Sequence, residues 1–78
     1  MMYDKVVDIL LDFTPVKREE ITGDSDLIDD LGLDSVSYFG IMFRFEETFG
    51  VEIPEDEIRE LRTVGDIMDL LKRLPSDA

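Results

Sequence analysis

The sequence contains no cysteine and no histidine. Without cysteine, disulfides and thiolate metal sites are excluded, so the fold must hold without covalent crosslinks. Without histidine, the usual general base for a serine nucleophile is missing. Basic residues are also scarce, with 8 Lys and Arg against 20 Asp and Glu and a formal net charge of -12. A surface this negative repels nucleic acid and anionic membranes, and it suits basic protein partners.

Long apolar segments are missing as well. The longest apolar runs are far too short to span a bilayer. The N-terminal residues also lack the basic segment followed by a long apolar one that would indicate a signal peptide. The 78 residues, 44% of them hydrophobic, are enough for one modest core. We expect a single domain over residues 1–78, monomeric and cytoplasmic.

The acidic residues are unevenly placed along the chain. From Glu19 to Phe43 there are seven acidic residues and no Lys or Arg. Net charge alone keeps many small proteins soluble, but charge this one-sided exceeds what solubility requires. It indicates a surface for a partner protein that presents basic residues.

Helical periodicity predicts an all-α fold, and no stretch shows sustained strand alternation. We expect a small four-helix bundle, with three longer helices, one short helix and a long loop between helices one and two. The first helix is predicted over residues 2–13, before Pro15 stops it. The second is predicted over residues 35–49, with Asp34 as N-cap and Gly50 ending it.

The other two helices are marked by their first residues. Pro54 can open a short third helix with acidic residues in its first turn. Thr63 is expected to cap a fourth helix, because Asp66 three residues later completes a capping box. From Pro75 onward the chain is predicted to fray.

The connection between helices one and two covers residues 15–34, which is long for a structureless loop. Leu27, Ile28 and Leu31 have helical spacing within it, and Gly32 can end a turn. A short helical turn is therefore predicted to hold the loop against the core.

Each helix has apolar residues at helical spacing, which we predict to face the core. These residues are Tyr3, Val6, Val7, Ile9, Leu10, Leu11 and Phe13 in helix one, Tyr38, Ile41, Met42, Phe45 and Phe49 in helix two, Ile58 and Leu61 in helix three, and Val64, Ile67, Met68, Leu71 and Leu74 in helix four. Helix two carries a second apolar group outside its core face, and a bundle this small cannot easily bury both.

The second apolar group consists of Val36, Phe39 and Phe43. One interpretation is a wide core with Phe39 at its margin, since single exposed apolar residues are common. The other is a docking stripe formed by these three residues and flanked by Glu46 and Glu47. An apolar strip with an acidic rim is typical of a surface that binds a partner protein, so we predict that these five residues bind a partner.

Ser35 is expected to lie exposed at the start of helix two. It has no histidine to activate it, and the nearest Lys or Arg in the sequence is Arg44, nine positions on, so a catalytic serine is not expected. A calcium loop also fails, because Ile28 occupies a ligand position and Asp29 stands where glycine is needed. A phosphate ester on Ser35 would meet the N–H groups and the positive dipole of a helix start. We interpret Ser35 as an attachment point.

The sequence resembles the acyl carrier protein family over nearly its whole length. The resemblance comprises a leading amphipathic helix and the segments DLIDDLGLDSVS and FEETFGVEIPEDEIRELRTVGDIMDLL. It implies that Ser35 of the LGLDS motif carries 4'-phosphopantetheine, with Asp34 as its motif partner. It also implies that a separate phosphopantetheinyl transferase adds this group from coenzyme A, and that acyl groups are held on its thiol as thioesters.

The same resemblance implies a carrier without catalysis of its own. Acyl-loading, condensing and acyl-modifying enzymes with basic docking patches would act on its cargo, and the helices would part slightly to shelter the acyl chain. No metal is implied.

Helix two departs from the pattern typical of fatty-acid carriers. Ser37, Gly40 and Thr48 hold positions that are often carboxylates in the family, and Arg44 adds a positive charge. These differences favour a specialised carrier, for polyketide, modified lipid or another dedicated acyl pathway, at least as much as bulk fatty-acid synthesis. The LDS variant keeps a D-alanyl or aminoacyl-type carrier open. From the residues alone, an unmodified acidic helical adaptor that docks a basic partner is a further alternative.

Overall fold

The computed structural model describes residues 1–75, which form four α-helices. Their bounds are Met2–Leu11 for α1, Ser35–Phe49 for α2, Glu55–Glu60 for α3 and Val64–Arg73 for α4. Within these residues the only β-structure is an isolated antiparallel bridge between Asp26 and Thr63. The predicted all-α bundle, with one short helix and a long loop after the first, is confirmed.

The helix ends follow local capping chemistry. Before α2, the carboxylate of Asp34 accepts a hydrogen bond of 2.8 Å from the N–H of Ser37, and Gly50 ends the helix in the left-handed region with φ 65°. The side chain of Thr63 accepts from the N–H of Asp66, while the Asp66 carboxylate accepts from the N–H of Thr63. The predicted N-cap of α2 and the capping box of α4 are both confirmed.

Helix α1 ends two residues earlier than predicted, at Leu11 instead of residue 13. The N–H groups of Asp12 and Phe13 bond to carbonyls three residues back, so the last turn tightens before Pro15. Phe13 consequently packs half-buried against the edge of the core.

One hydrophobic core joins α1, α2, α4 and the long loop. Its largest fully buried side chains are Phe45, Leu10, Leu27, Leu31, Ile41, Ile67 and Leu70. Other predicted core residues pack half-buried against it, namely Tyr3, Leu11, Phe13, Tyr38, Phe49, Ile58, Met68 and Leu74. Removing such apolar surface from water is the main favourable term in folding, so this cluster holds together a chain that has no disulfide.

The buried stripe of α4 differs from the predicted one. Leu70, which the prediction leaves out, is buried, whereas Met68 and Leu74 are only half-buried. Leu70 follows Ile67 by three residues and so lies on the same face of the helix. The stripe is therefore rotated away from Met68.

The long loop is anchored where the sequence predicts a turn. The carbonyl of Asp26 accepts hydrogen bonds from the N–H groups of Asp30 and Leu31, and Gly32 has a φ of 71°. Leu27 and Leu31 are buried. The predicted role of this turn in holding the loop to the core is confirmed.

Two features of the loop differ from the prediction. Ile28 is 60% exposed and takes no part in the anchoring, because a single turn can bury only one side. The loop also contains a short 3-10 helix, Arg18–Glu20, that the sequence pattern does not predict.

The described helices are all short. None of those within residues 1–75 is long and apolar enough to cross a membrane. Of the tail predicted to fray, Pro75 is exposed and the remaining residues, 76–78, lie outside the described part of the chain.

Candidate functional site

Ser35 is the first residue of α2, and its side chain is exposed. The preceding Asp34 has an extended backbone, and its carboxylate turns back to accept the Ser37 N–H. The carbonyl of Asp34 accepts the N–H of Tyr38 at 3.0 Å. Asp34 thus fixes the residue at which the helix begins and leaves Ser35 open to solvent.

The cap also keeps Asp34 ionised. The hydrogen bond from the backbone N–H of Ser37 is the main cause that holds the pKa of Asp34 below its ordinary value of 3.8. A carboxylate with a lowered pKa is a weak base, so it is unsuited to take a proton from Ser35. Arg59, which lines a groove together with Ser35, has a guanidinium with hydrogen-bond donors only and is no base either. Neither Asp34 nor Arg59 can therefore activate the Ser35 hydroxyl as a nucleophile.

An open groove of about 290 Å³ begins beside Ser35, and we call it the Ser35 groove. Its lining comes from α2, α3 with the residue after it, and the long loop: Ile28, Ser35, Tyr38, Phe39, Ile58, Arg59 and Leu61. The sequence pattern does not indicate that residues 58–61 reach Ser35, because only the tertiary fold brings them there. Arg59 thus places a cation along the groove in a chain of net charge -12.

The docking stripe lies at the surface of α2. Val36 is 82% exposed, and Phe39 and Phe43 are each 59% exposed. Their spacing of three and four residues puts them on one side of the helix, while Ile41 and Phe45 on the other side are fully buried. The interpretation of a wide core with Phe39 at its margin is therefore wrong, because all three side chains are exposed, and helix α2 has one apolar face in the core and one in solvent.

The predicted acidic rim of the stripe has a mixed character. Glu47 is exposed. Glu46 is half-buried, and its carboxylate accepts a hydrogen bond of 2.7 Å from the N–H of Ile53. Glu46 therefore holds the connection between α2 and α3 against the helix, in addition to the partner role predicted for it.

Two residues beside the stripe face the end of α1. A Cβ atom at Gly40 would lie 3.4 Å from the ring carbon Cε1 of Phe13, so this ring packs closely on the helix backbone. One turn later, Arg44 donates a hydrogen bond of 3.0 Å to the carboxylate of Asp12. Both partners of this ion pair are substantially exposed, so it contributes little stability, but it draws the cation toward α1.

Some acidic residues of the long loop accept hydrogen bonds from backbone groups. The carboxylate of Asp26 accepts the N–H groups of Asp29 and Ile28 at 2.8 and 2.9 Å. These bonds, with a smaller effect of the Arg62 charge, lower the pKa of Asp26. Within residues 1–75, no three His, Cys, Asp or Glu side chains converge in a way that could hold a metal ion.

Comparison with known proteins supplies the context for this geometry. The family model for the phosphopantetheine attachment site matches residues 4–71, a span that includes Ser35. The chain is 40% identical over 68 residues to the acyl carrier protein of Tropheryma whipplei, covering 87% of this chain and 83% of that protein. It is 36% identical over 69 residues to the acyl carrier protein of Porphyromonas gingivalis, covering 88% of each.

A solved structure has the same arrangement of helices. It is a candidate acyl carrier protein from Mycobacterium tuberculosis, similar to this chain with a TM-score of 0.85 and 26% sequence identity. The match covers 92% of this chain and 96% of that one. Sequence and fold therefore point to the same kind of protein, and the family implies a 4'-phosphopantetheine prosthetic group.

Proposed function

This chain belongs to the acyl carrier protein family, and on that premise we propose that Ser35 carries its 4'-phosphopantetheine through a phosphodiester. The observation that supports this assignment is the exposure of Ser35 at the capped start of α2, beside an apolar groove. The N–H groups and the dipole of a helix start favour a phosphate, and Arg59 lines the same groove. Asp34 contributes by capping the N-terminus of α2, which positions Ser35.

The prosthetic group supplies a thiol on which acyl groups are held as thioesters. The chain has no cysteine, and its own residues bind and present the cargo instead of transforming it. The apolar lining of the Ser35 groove, chiefly Phe39, Ile58 and Leu61, offers a surface on which an acyl group can leave water. The carrier is one domain over residues 1–78, monomeric and, as the family resemblance implies, cytoplasmic.

The partners are a phosphopantetheinyl transferase and the enzymes that load, condense and modify the acyl group. Their docking surface on this chain is the docking stripe, rimmed by Glu46 and Glu47. The exposed phenylalanines supply apolar contact area, and a few well-packed residues near the centre of an interface account for most of its affinity. The net charge of -12 attracts partners with basic patches from a distance.

The pathway is a specialised one, for polyketide, modified lipid or another dedicated acyl group. Ser37, Gly40 and Thr48 leave α2 with fewer carboxylates than a typical fatty-acid carrier has, and Arg44 adds a cation. Arg44 pairs with Asp12, so an acidic side chain at the end of α1 is engaged within the molecule. A D-alanyl or aminoacyl-type carrier is the second candidate, which the LDS motif favours.

The test of thioester carriage uses acyl coenzyme A as the donor. The unmodified protein is incubated with octanoyl coenzyme A and a broad-specificity phosphopantetheinyl transferase, and its intact mass is measured before and after neutral hydroxylamine. Hydroxylamine cleaves thioesters readily, so the octanoyl mass should disappear while the phosphopantetheine mass remains. An octanoyl group that resists hydroxylamine would contradict carriage on a thiol.

A further inference from the structure

Tyr38 lies between two grooves on the side of the molecule where α2 meets α3. One is the Ser35 groove, of about 290 Å³. The other, of about 280 Å³, we call the Arg62 groove after the cation that lines it. Tyr38, Ile28 and Leu61 line both grooves. These three side chains form the boundary, and the phenol ring is the largest of them.

The ring of Tyr38 is held in this position from two sides. It is half-buried and packs against the hydrophobic core. Its hydroxyl donates a long hydrogen bond of 3.5 Å to the carbonyl of Leu61, the residue that follows α3. Burial, and then the charges of Asp26 and Asp66, raise the pKa of the phenol, so it remains a neutral donor at physiological pH.

The two grooves differ in chemistry. Apart from Ser35 and Arg59, the Ser35 groove is lined by aliphatic and aromatic side chains. The Arg62 groove brings together Asp26, Asp29 and Arg62. An apolar chain gains free energy by leaving water in the first groove, whereas entry into the second would cost the hydration of charged groups. The boundary at Tyr38 therefore separates a groove with one charged residue, Arg59, from a groove with three.

We propose that the ring of Tyr38 limits the length of acyl group that this carrier shelters. This inference rests on the proposed attachment at Ser35. A short acyl group folds back into the Ser35 groove and ends at the ring, and the remainder of a longer chain stays outside. Tyr38 is thus a specificity-determining residue for the cargo, and it acts by steric exclusion.

The test is the thermal stability of the intact protein carrying acyl groups of different length. Butyryl, octanoyl and dodecanoyl groups are loaded through the corresponding acyl coenzyme A, and the Tm of each form is compared with that of the free-thiol form. An acyl group that the folded state shelters raises the Tm, because the unfolded chain cannot bind it. In the wild type the octanoyl and dodecanoyl forms should have the same Tm within about 1 °C, whereas in Tyr38→Ala the dodecanoyl form should exceed the octanoyl form by about 4 °C or more.

Two further variants separate the ring from its hydrogen bond. Tyr38→Phe removes the hydrogen bond to the Leu61 carbonyl but keeps the ring, so it should keep the wild-type length pattern. Tyr38→Leu serves as the second ring-removing variant if Tyr38→Ala does not fold, and it should show the new length dependence.

The outcomes that contradict the inference are distinct from those that contradict the attachment site. A wild-type Tm that rises steadily from butyryl to dodecanoyl would overturn the length limit, whatever the variants do. Loss of the limit in Tyr38→Phe, or its persistence in folded Tyr38→Ala and Tyr38→Leu, would show that the ring of Tyr38 is not the barrier. Failure of the wild type to gain the phosphopantetheine mass would instead overturn the proposed function.

Discussion

The carboxylate of Asp34 accepts a hydrogen bond of 2.8 Å from the backbone N–H of Ser37, across the first turn of α2. Ser35, the first residue of α2, directly follows this capping residue. This hydrogen bond therefore marks where α2 starts, with the Ser35 hydroxyl presented at the helix N-terminus.

Replacing Asp34 by alanine should destabilise the fold, whereas replacing it by asparagine should largely preserve its stability. Asparagine caps a helix about as well as aspartate, and alanine does so poorly. The measurement is the free energy of unfolding in urea at neutral pH for the wild type, Asp34→Ala and Asp34→Asn. Equal losses in the two variants would indicate that the negative charge matters and the cap does not.

The same hydrogen bond should make stability depend on pH in the acid range. The pKa of Asp34 in the fold is lowered below its ordinary value of 3.8, chiefly by the Ser37 N–H. A carboxyl of this kind contributes stability that is fully present above its unfolded pKa and is lost as the pH falls through its folded pKa. The wild type should therefore lose more stability than Asp34→Asn between neutral pH and pH values below 3.8. Parallel losses in urea titrations of the two proteins would contradict this coupling.

The two apolar faces of α2 should respond oppositely to a serine substitution. Phe43→Ser should change the free energy of unfolding by under about 1 kcal/mol, because the side chain is 59% exposed. Phe45→Ser should cost at least about 3 kcal/mol, because the ring is fully buried. Loading by a transferase or transfer to a partner enzyme should weaken in folded Phe43→Ser. A large stability loss in Phe43→Ser, or unchanged transfer, would show that the docking stripe is wrongly assigned.

The surface beside the stripe should make this protein a poor substitute in bulk fatty-acid synthesis. Gly40→Glu with Arg44→Ala should improve turnover by a standard fatty-acid condensing enzyme, and the gain should shrink as salt rises, because exposed charges are screened over about 8 Å at physiological ionic strength. A Cβ at position 40 would meet the Phe13 ring at an ordinary contact distance of 3.4 Å, so the variant is expected to fold. Arg44→Ala alone, which also releases Asp12, is the matched control. Wild-type turnover equal to that of a housekeeping carrier would contradict the proposal of a specialised pathway.

Local chemistry made the ends of α2 and the start of α4 predictable from the sequence. The start of α2 is capped by the side chain of Asp34, and the start of α4 by Thr63 together with Asp66. Gly50 has no side chain and so adopts the left-handed conformation that ends α2. Helical spacing also predicted that α2 has two apolar faces, and the structure decided that the second one is exposed. The serine that we assign as the attachment point could be selected for the same reason, since its position depends on the cap.

The Ser35 groove could not be predicted in this way. The long loop is tied to the start of α4 by backbone hydrogen bonds, from Leu27 N–H to Arg62, from Val64 N–H to Ser25 and from Gly65 N–H to Gly23. Backbone groups are present at every residue, so such pairings leave no pattern in the sequence. They nevertheless determine that residues 58–61 lie beside Ser35 and that Ile28 faces solvent. The charge of Arg59 in the groove became apparent only with the tertiary fold.

The intact mass of the full chain shows whether Ser35 carries the prosthetic group. The unmodified protein is incubated with coenzyme A and a phosphopantetheinyl transferase, alongside Ser35→Ala and the matched control Ser37→Ala, which changes a serine two positions away on the same helix. The account predicts the added mass of one phosphopantetheine on the wild type and on Ser37→Ala, and none on Ser35→Ala that is folded by circular dichroism. No added mass on the wild type, as expected for an unmodified adaptor, or an undiminished mass gain in Ser35→Ala would contradict it.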